Sequence, residues 1–104
     1  MTSSREQLRF ILDQLSGLDG ITSRPMMGEF ILYYHGRIVG GIYDDRLLIK
    51  PVRSAVNYVE DPVFEQPYEG AKEMLLIENI DDRDYLTGLI QAIYKDLPEP
   101  KKKA

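Results

Sequence analysis

Leu8, Ile11, Leu12, Leu15 and Leu18 recur at steps of three and four residues, which lays one apolar stripe along a first helix. The helix begins at Ser3 or Ser4, where Ser3 with Glu6 three residues later fits a capping box, and Gly17 and Gly20 mark its end. Pro25 biases its predecessor away from helix, so Ile21 to Arg24 reads as a short extended piece. From Met27 to Lys50 the period shortens to that of strands. Three β-rich runs are separated by His35-Gly36 and Asp44-Asp45, pairs that suit two-residue hairpin turns, and the segment reads as a three-stranded meander. Pro51 suits the first turn of a short helix running to about Tyr58, and Glu60 to Gly70, with two prolines and a glycine, reads as a loop. Lys72 to Glu78 carries a continuous apolar centre, Met74 to Ile77, as in a strand buried on both faces. Asp81 or Asp82 caps a last helix along which Tyr85, Leu86, Leu89, Ile90, Ile93 and Leu97 keep helical spacing, and Pro98 stops it.

This order implies an α+β fold: a two-layer sandwich with an antiparallel sheet of four to five strands and helices packed on one face. The two turns fix a register. Tyr34 faces Arg37, Tyr33 faces Ile38, Tyr43 faces Arg46 and Ile42 faces Leu47. Alternation then sorts the side chains. Ile31, Tyr33, Ile38, Gly40, Ile42, Leu47 and Ile49 form one almost wholly apolar face, the expected core. Phe30, Leu32, Tyr34, Arg37, Val39, Gly41, Tyr43, Arg46, Leu48 and Lys50 form the other, which mixes aromatics with cations. A β-bulge at Gly40-Gly41 would exchange part of the two sets.

With 104 residues there is room for one core and no second domain: residues 1–97 form the domain, and 98–104, a basic stretch without large apolar groups, an expected disordered tail. No apolar run approaches the ~20 residues of a membrane-crossing helix, and no signal peptide is legible at the start, so the expected location is the cytoplasm. The absence of cysteine excludes disulfides, thiol catalysis and Cys-based zinc sites. A net charge of −4 opposes unaided attraction to nucleic acid, while leaving room for a local basic patch.

The run Arg24-Pro25-Met26-Met27-Gly28-Glu29-Phe30, followed by Leu32-Tyr33, Gly36, Ile42, Asp44-Asp45, Leu47 and Lys50, resembles the N-terminal domain of the TfoX/Sxy family. The family pattern is Arg-x-Met-Phe-Gly-Gly-Tyr, then Leu-Tyr, a turn glycine, and Asp-Asp-x-Leu-Tyr-x-Lys. Met27 stands for the family's Phe, Glu29 for its second Gly, and Leu48 for its Tyr. The resemblance implies a helix-flanked antiparallel sheet and a role in bacterial regulators of natural competence, which promote expression of DNA-uptake genes with a transcriptional activator. Longer members carry a C-terminal helical domain, so this chain looks like a stand-alone N-terminal domain.

Catalytic equipment is sparse. His35, the single histidine, reads as an exposed turn residue. Asp44-Asp45 reads as a turn former before a cation site, and Asp81, Asp82 and Asp84 as capping residues without the rest of a calcium loop. Gly28 reads as a turn or bulge, Arg24 as either ligand contact or structural anchor, and Lys101 to Lys103 as solubilising charge. No cofactor and no metal is implied. The sharper signal is the second sheet face. Phe30, Leu32, Tyr34, Val39, Tyr43 and Leu48, rimmed by Arg37, Arg46 and Lys50, have the composition of a protein interface unless the last helix or the loop from Glu60 to Gly70 covers them. The reading is therefore a non-enzymatic module that binds a protein partner or a second copy of itself, with direct nucleic-acid binding as the alternative.

Overall fold

A computed structural model describes residues 3–99; Met1, Thr2 and residues 100–104, which make up most of the expected tail, lie outside the described residues. Helix α1 (Arg5–Gln14) is followed by strands β1 (Ile21–Met26), β2 (Glu29–Tyr34), β3 (Arg37–Tyr43) and β4 (Arg46–Ile49), helix α2 (Arg53–Tyr58), strands β5 (Phe64–Glu65) and β6 (Met74–Ile77), helix α3 (Arg83–Ile93) and a 3₁₀ turn, Tyr94–Asp96. The strands form one antiparallel sheet in the order β1-β2-β3-β4-β6-β5. This is the expected α+β architecture, with six strands in place of four or five. β1 runs through Pro25 to Met26, and two residues of the loop from Glu60 to Gly70 pair along β6 as β5.

Proline is tolerated in β1 for a geometric reason. The two-residue turn at Met27-Gly28 makes Met26 and Glu29 a mutually hydrogen-bonded pair, and the amide of His35 donates to Gly20 O at 2.9 Å in the same phase. Even-numbered residues of β1 thus bond to β2, and Pro25 falls among those facing the sheet's open edge, where its missing N–H costs no ladder bond. The meander is three successive hairpins. Met27 and Gly28 (φ 52° and 86°), His35 and Gly36 (48° and 81°) and Asp44 and Asp45 (53° and 61°) each put two consecutive residues in the left-handed region that tight hairpins require.

All three helices cover the same face of the sheet. Leu8, Ile11 and Leu15 of the first helical segment, Ala55 of α2, and Leu86, Leu89, Ile90 and Ile93 of α3 pack onto Phe30, Leu32, Val39, Ile42, Leu47, Ile49, Leu75 and Ile77. Ser4, rather than Ser3, caps α1, its side chain accepting from the amide of Gln7. Ser3 instead ties the chain start to the hairpin tips: its Oγ donates to Glu29 Oε1 at 2.7 Å and accepts from the amide of Asp45 at 3.0 Å. Glu29 also accepts from the amide of Asp44 at 3.2 Å, which ties the two hairpin tips together. α2 begins at Arg53 with Val52 as its N-cap, two residues beyond Pro51. Asp82 caps α3 by accepting from the amide of Tyr85, as expected. Gly88 in α3 leaves space for the hydroxyl of Tyr58, which donates to Tyr85 O; a β-carbon there would stand 2.5 Å from the Tyr58 hydroxyl oxygen.

The four anticipated turn pairings hold: Tyr34 with Arg37, Tyr33 with Ile38, Tyr43 with Arg46, and Ile42 with Leu47. The face assignment needs correction on β2 and at the start of β3. Leu32 pairs with Gly40 while Tyr33 pairs with Ile38, so Val39 is an extra residue and the register shifts. Phe30, Leu32 and Val39 therefore lie beneath the helices, and Ile31, Tyr33 and Ile38 lie on the opposite face. Gly40 permits the bulge: at φ 158° a β-carbon would sit 2.1 Å from Leu48 O and 2.8 Å from Ile49 Cα.

Candidate functional site

The sheet face away from the helices is built from alternate residues of each strand: Thr22, Arg24 and Met26 of β1, Ile31 and Tyr33 of β2, Ile38, Gly41 and Tyr43 of β3, Arg46 and Leu48 of β4, and Met74 and Leu76 of β6. Ile31, Tyr43 and Leu48 are buried at its centre, with Tyr33, Met74 and Leu76 packed around them. Among the described residues no helix crosses it. The stretch after β5 approaches its centre through Pro67 and Tyr68, the Tyr68 ring 6.5 Å from that of Tyr43, and Pro98 and Glu99 approach its other end. Burial, then the neighbouring Tyr68, Glu29 and Tyr33, push the Tyr43 hydroxyl above its ordinary pKa, so this phenol stays neutral in ordinary buffers.

Most residues singled out for partner contact sit elsewhere than expected. Tyr34 is half-buried with its ring edge-on to Tyr94 at 5.3 Å, at the C-terminal end of the helical layer. Arg37 binds the chain's own backbone, donating to Leu97 O at 3.1 Å and Tyr94 O at 3.5 Å while its guanidinium lies 4.5 Å from the Tyr94 ring centroid. Arg46 is held by Glu65 at 2.7 Å and by the carbonyls of Gln66 and Pro67, which fastens the loop from Glu60 to Gly70 to the sheet. Tyr43 and Leu48 do face away from the helices, buried among their neighbours. Lys50 alone of the three rim cations keeps an unengaged side chain among the described residues. His35 is exposed at its hairpin tip, as expected, with its ring 4.5 Å from Tyr34.

The family-motif residues converge better. Arg24, Met26, Tyr33 and Lys50 all lie on or at the margin of the open face, Met27, Gly28, Gly36 and Asp45 form hairpin tips, and Leu47 belongs to the core. Arg24, Tyr33 and Lys50 share a shallow cavity of about 780 Å³ with Thr22, Gly36 and Ile38, closed at one rim by Pro98 and Glu99. Its floor is an aromatic ring and an aliphatic side chain. A cation stands on each side, and neither Arg24 nor Lys50 has an ion-pair partner among the described residues. A second cavity of about 730 Å³ includes Met26, Met27, Tyr43, Arg46 and Tyr68. Met27 is 93% exposed at φ 52°, an apolar side chain in an unfavourable backbone conformation fully in water.

Thr22 escaped the sequence reading, and Ile38 was assigned to the core face. The signal for both was present: Gly40-Gly41 announced a bulge that moves Ile38 outward, and Met27-Gly28 announced a hairpin that brings Thr22 beside Tyr33. Among the described residues no group of His, Asp and Glu gathers in a manner that could hold a metal ion, and Asp44 and Asp45 serve their turn and its ties to Ser3, Ser4 and Gln7.

Residues 13–93 match the TfoX N-terminal domain family. The chain is also 28% identical over 102 residues to an uncharacterized 12.7 kDa protein in the trpE 5′ region of Spirochaeta aurantia, covering 97% of this chain and 89% of that protein. No solved structure matches.

Proposed function

The chain belongs to the TfoX N-terminal domain family, and we propose that it is a non-enzymatic regulatory module of the competence-regulator kind, acting in the cytoplasm by protein–protein contact through its open sheet face. One observation carries this reading: a six-stranded sheet sends all its helices to one side and leaves on the other a face with Met26 45%, Ile38 39% and Tyr68 61% exposed. Sheets in two-layer folds usually present a polar outer surface, and apolar groups gathered beside unengaged cations are the composition of a docking surface. Family membership supports regulation of competence genes as the context. No helix of the described residues is long and apolar enough to cross a membrane. His35 packs its ring beside those of Tyr34 and Tyr94, an aromatic environment that supports a binding role over catalysis.

Direct nucleic-acid binding is the second reading, favoured by Arg24 and Lys50 flanking the Tyr33 ring in one cavity. Against it stand the net charge of −4 and the carboxylates of Glu29, Glu65 and Glu69 along the same side of the sheet.

The test is affinity capture from native extract with wild type and a Tyr33→Ser/Ile38→Ser variant, each verified as folded by circular dichroism. Proteins retained by wild type and lost by the variant, before and after nuclease treatment, are the expected result. Identical captured proteins from both baits would refute the role of this face, and nuclease-sensitive capture would favour the second reading.

A further inference from the structure

We infer that the Arg24–Tyr33–Lys50 cavity is a recognition site for an acidic segment of the partner protein, with carboxylates at its two ends and an apolar side chain between them. This deepens the proposed docking role of the open face and rests on it. The first ground is charge. Among the described residues seven lysines and arginines have no carboxylate within ion-pair distance, and two of these, Arg24 and Lys50, line one cavity together in a chain that has 17 acidic residues against 13 basic ones.

The carboxylate that lines the cavity, Glu99, lies 3.9 Å from Arg37 and so leaves the two cations to an incoming acid.

Shape selects among anions. The two cations sit on different strands, β1 and the end of β4, with Tyr33 and Ile38 on the strands between them. Neighbouring strands are about 4.8 Å apart, so Arg24 and Lys50 start about 14 Å apart and their long side chains close on the floor from opposite sides. A single phosphate would satisfy one end. An extended peptide lying across the strands satisfies both, and fills the apolar floor with the side chain between its two acidic residues. A nucleic-acid backbone continued along the face would meet Glu29, Asp44 and Glu69 around the neighbouring cavity. The partner chemistry that fits is therefore acidic–apolar–acidic peptide, recognised with strong dependence on salt.

The probe is a capped heptapeptide with two glutamates flanking a phenylalanine, titrated into the full chain and followed by backbone amide NMR, beside its glutamine counterpart. The expected result is saturable binding with shifts at Thr22, Arg24, Tyr33, Ile38 and Lys50. Glutamine substitution and an Arg24→Gln/Lys50→Gln variant should each weaken it about tenfold, as loss of two exposed charge pairs implies. Equal affinity for the two peptides, shifts confined to the helical face, or no shift up to about 1 mM peptide would overturn the inference. So would displacement of the peptide by a random single-stranded oligonucleotide of equal length at lower concentration. The outcomes separate from those of the capture experiment: partner capture lost in Tyr33→Ser/Ile38→Ser but kept in Arg24→Gln/Lys50→Gln would leave the docking face standing and remove its preference for acid.

Discussion

Replacing Gly40 by alanine is the sharpest structural perturbation, because the bulge at this position decides which side chains reach the open face. An added β-carbon would lie 2.1 Å from Leu48 O, 2.8 Å from Ile49 Cα and 3.0 Å from Leu48 C, all backbone atoms of the paired strand β4. Backbone in the middle of a sheet cannot swing aside as a side-chain end can. The substitution must either push β3 and β4 apart or undo the bulge. Undoing it would carry Val39, now fully buried, out of the core and bring Ile38 in. Overpacking of a tight site costs about 1–3 kcal/mol and a residue in a sparsely populated backbone region about 1–3 kcal/mol more, so Gly40→Ala should destabilise by about 2–6 kcal/mol. At about 4–8 °C per kcal/mol for a domain of this size, the melting temperature should fall by about 8 °C or more. Urea and thermal unfolding followed by circular dichroism measure this. Gly17→Ala is the control, since nothing lies within 4 Å of its added carbon, and it should stay within about 1 kcal/mol of wild type. A Gly40→Ala protein as stable as the Gly17→Ala control would refute the steric argument and with it the account of how the faces are sorted.

Two further expectations follow from side chains that tie elements together. Arg37→Gln removes a cation from the carbonyls of Tyr94 and Leu97 and from the face of the Tyr94 ring, and should cost about 1–3 kcal/mol in urea unfolding while leaving capture of a partner unchanged, since this group faces the chain's own C-terminal turn. The Asp96 carboxylate accepts from the amide of Ser54 at 3.1 Å. The nearby Ser54 hydroxyl, though outside strict hydrogen-bond geometry, and that amide hold the carboxyl below its ordinary pKa. A depressed folded pKa gives stability that is present above the unfolded value and lost as pH falls through the folded one, so wild type should lose stability below about pH 4 more steeply than Asp96→Asn. Parallel acid titrations of the two melting temperatures would contradict this coupling.

The parts of the fold read most directly from sequence are those fixed by local chemistry. Hairpin positions followed from His35-Gly36 and Asp44-Asp45, and both long helices from spacing of their apolar residues and from serine and aspartate caps. Strand β1 was legible as an extended piece but not in its extent, because Pro25 reads as a breaker until its neighbour's hydrogen-bond phase is known. β5 has only two residues and exists because β6 offers an edge, which is a tertiary effect. The site was harder. One inserted residue, Val39, exchanged Phe30, Leu32 and Val39 for Ile31, Tyr33 and Ile38, and the sequence carries comparably apolar groups on both sets. Apolarity therefore could not choose between them, and only the steric demand at Gly40 does. The family-motif positions Arg24, Tyr33 and Lys50 proved more informative about the open face than the alternation pattern, since they meet in one cavity although they span three strand connections.

Partners are proposed to meet the sheet face remote from the helices. Hydroxyl-radical footprinting of the full chain, free and bound to a purified captured protein, tests it directly because both sides of the molecule carry reactive reporters. Met26, Met27, Tyr33 and Tyr68 stand on or beside the open face, and Phe10 and Tyr85 on the helical side. The account predicts that binding slows oxidation of the first group and leaves the second unchanged; protection of Phe10 and Tyr85 with Tyr33 and Met26 still reactive would contradict it.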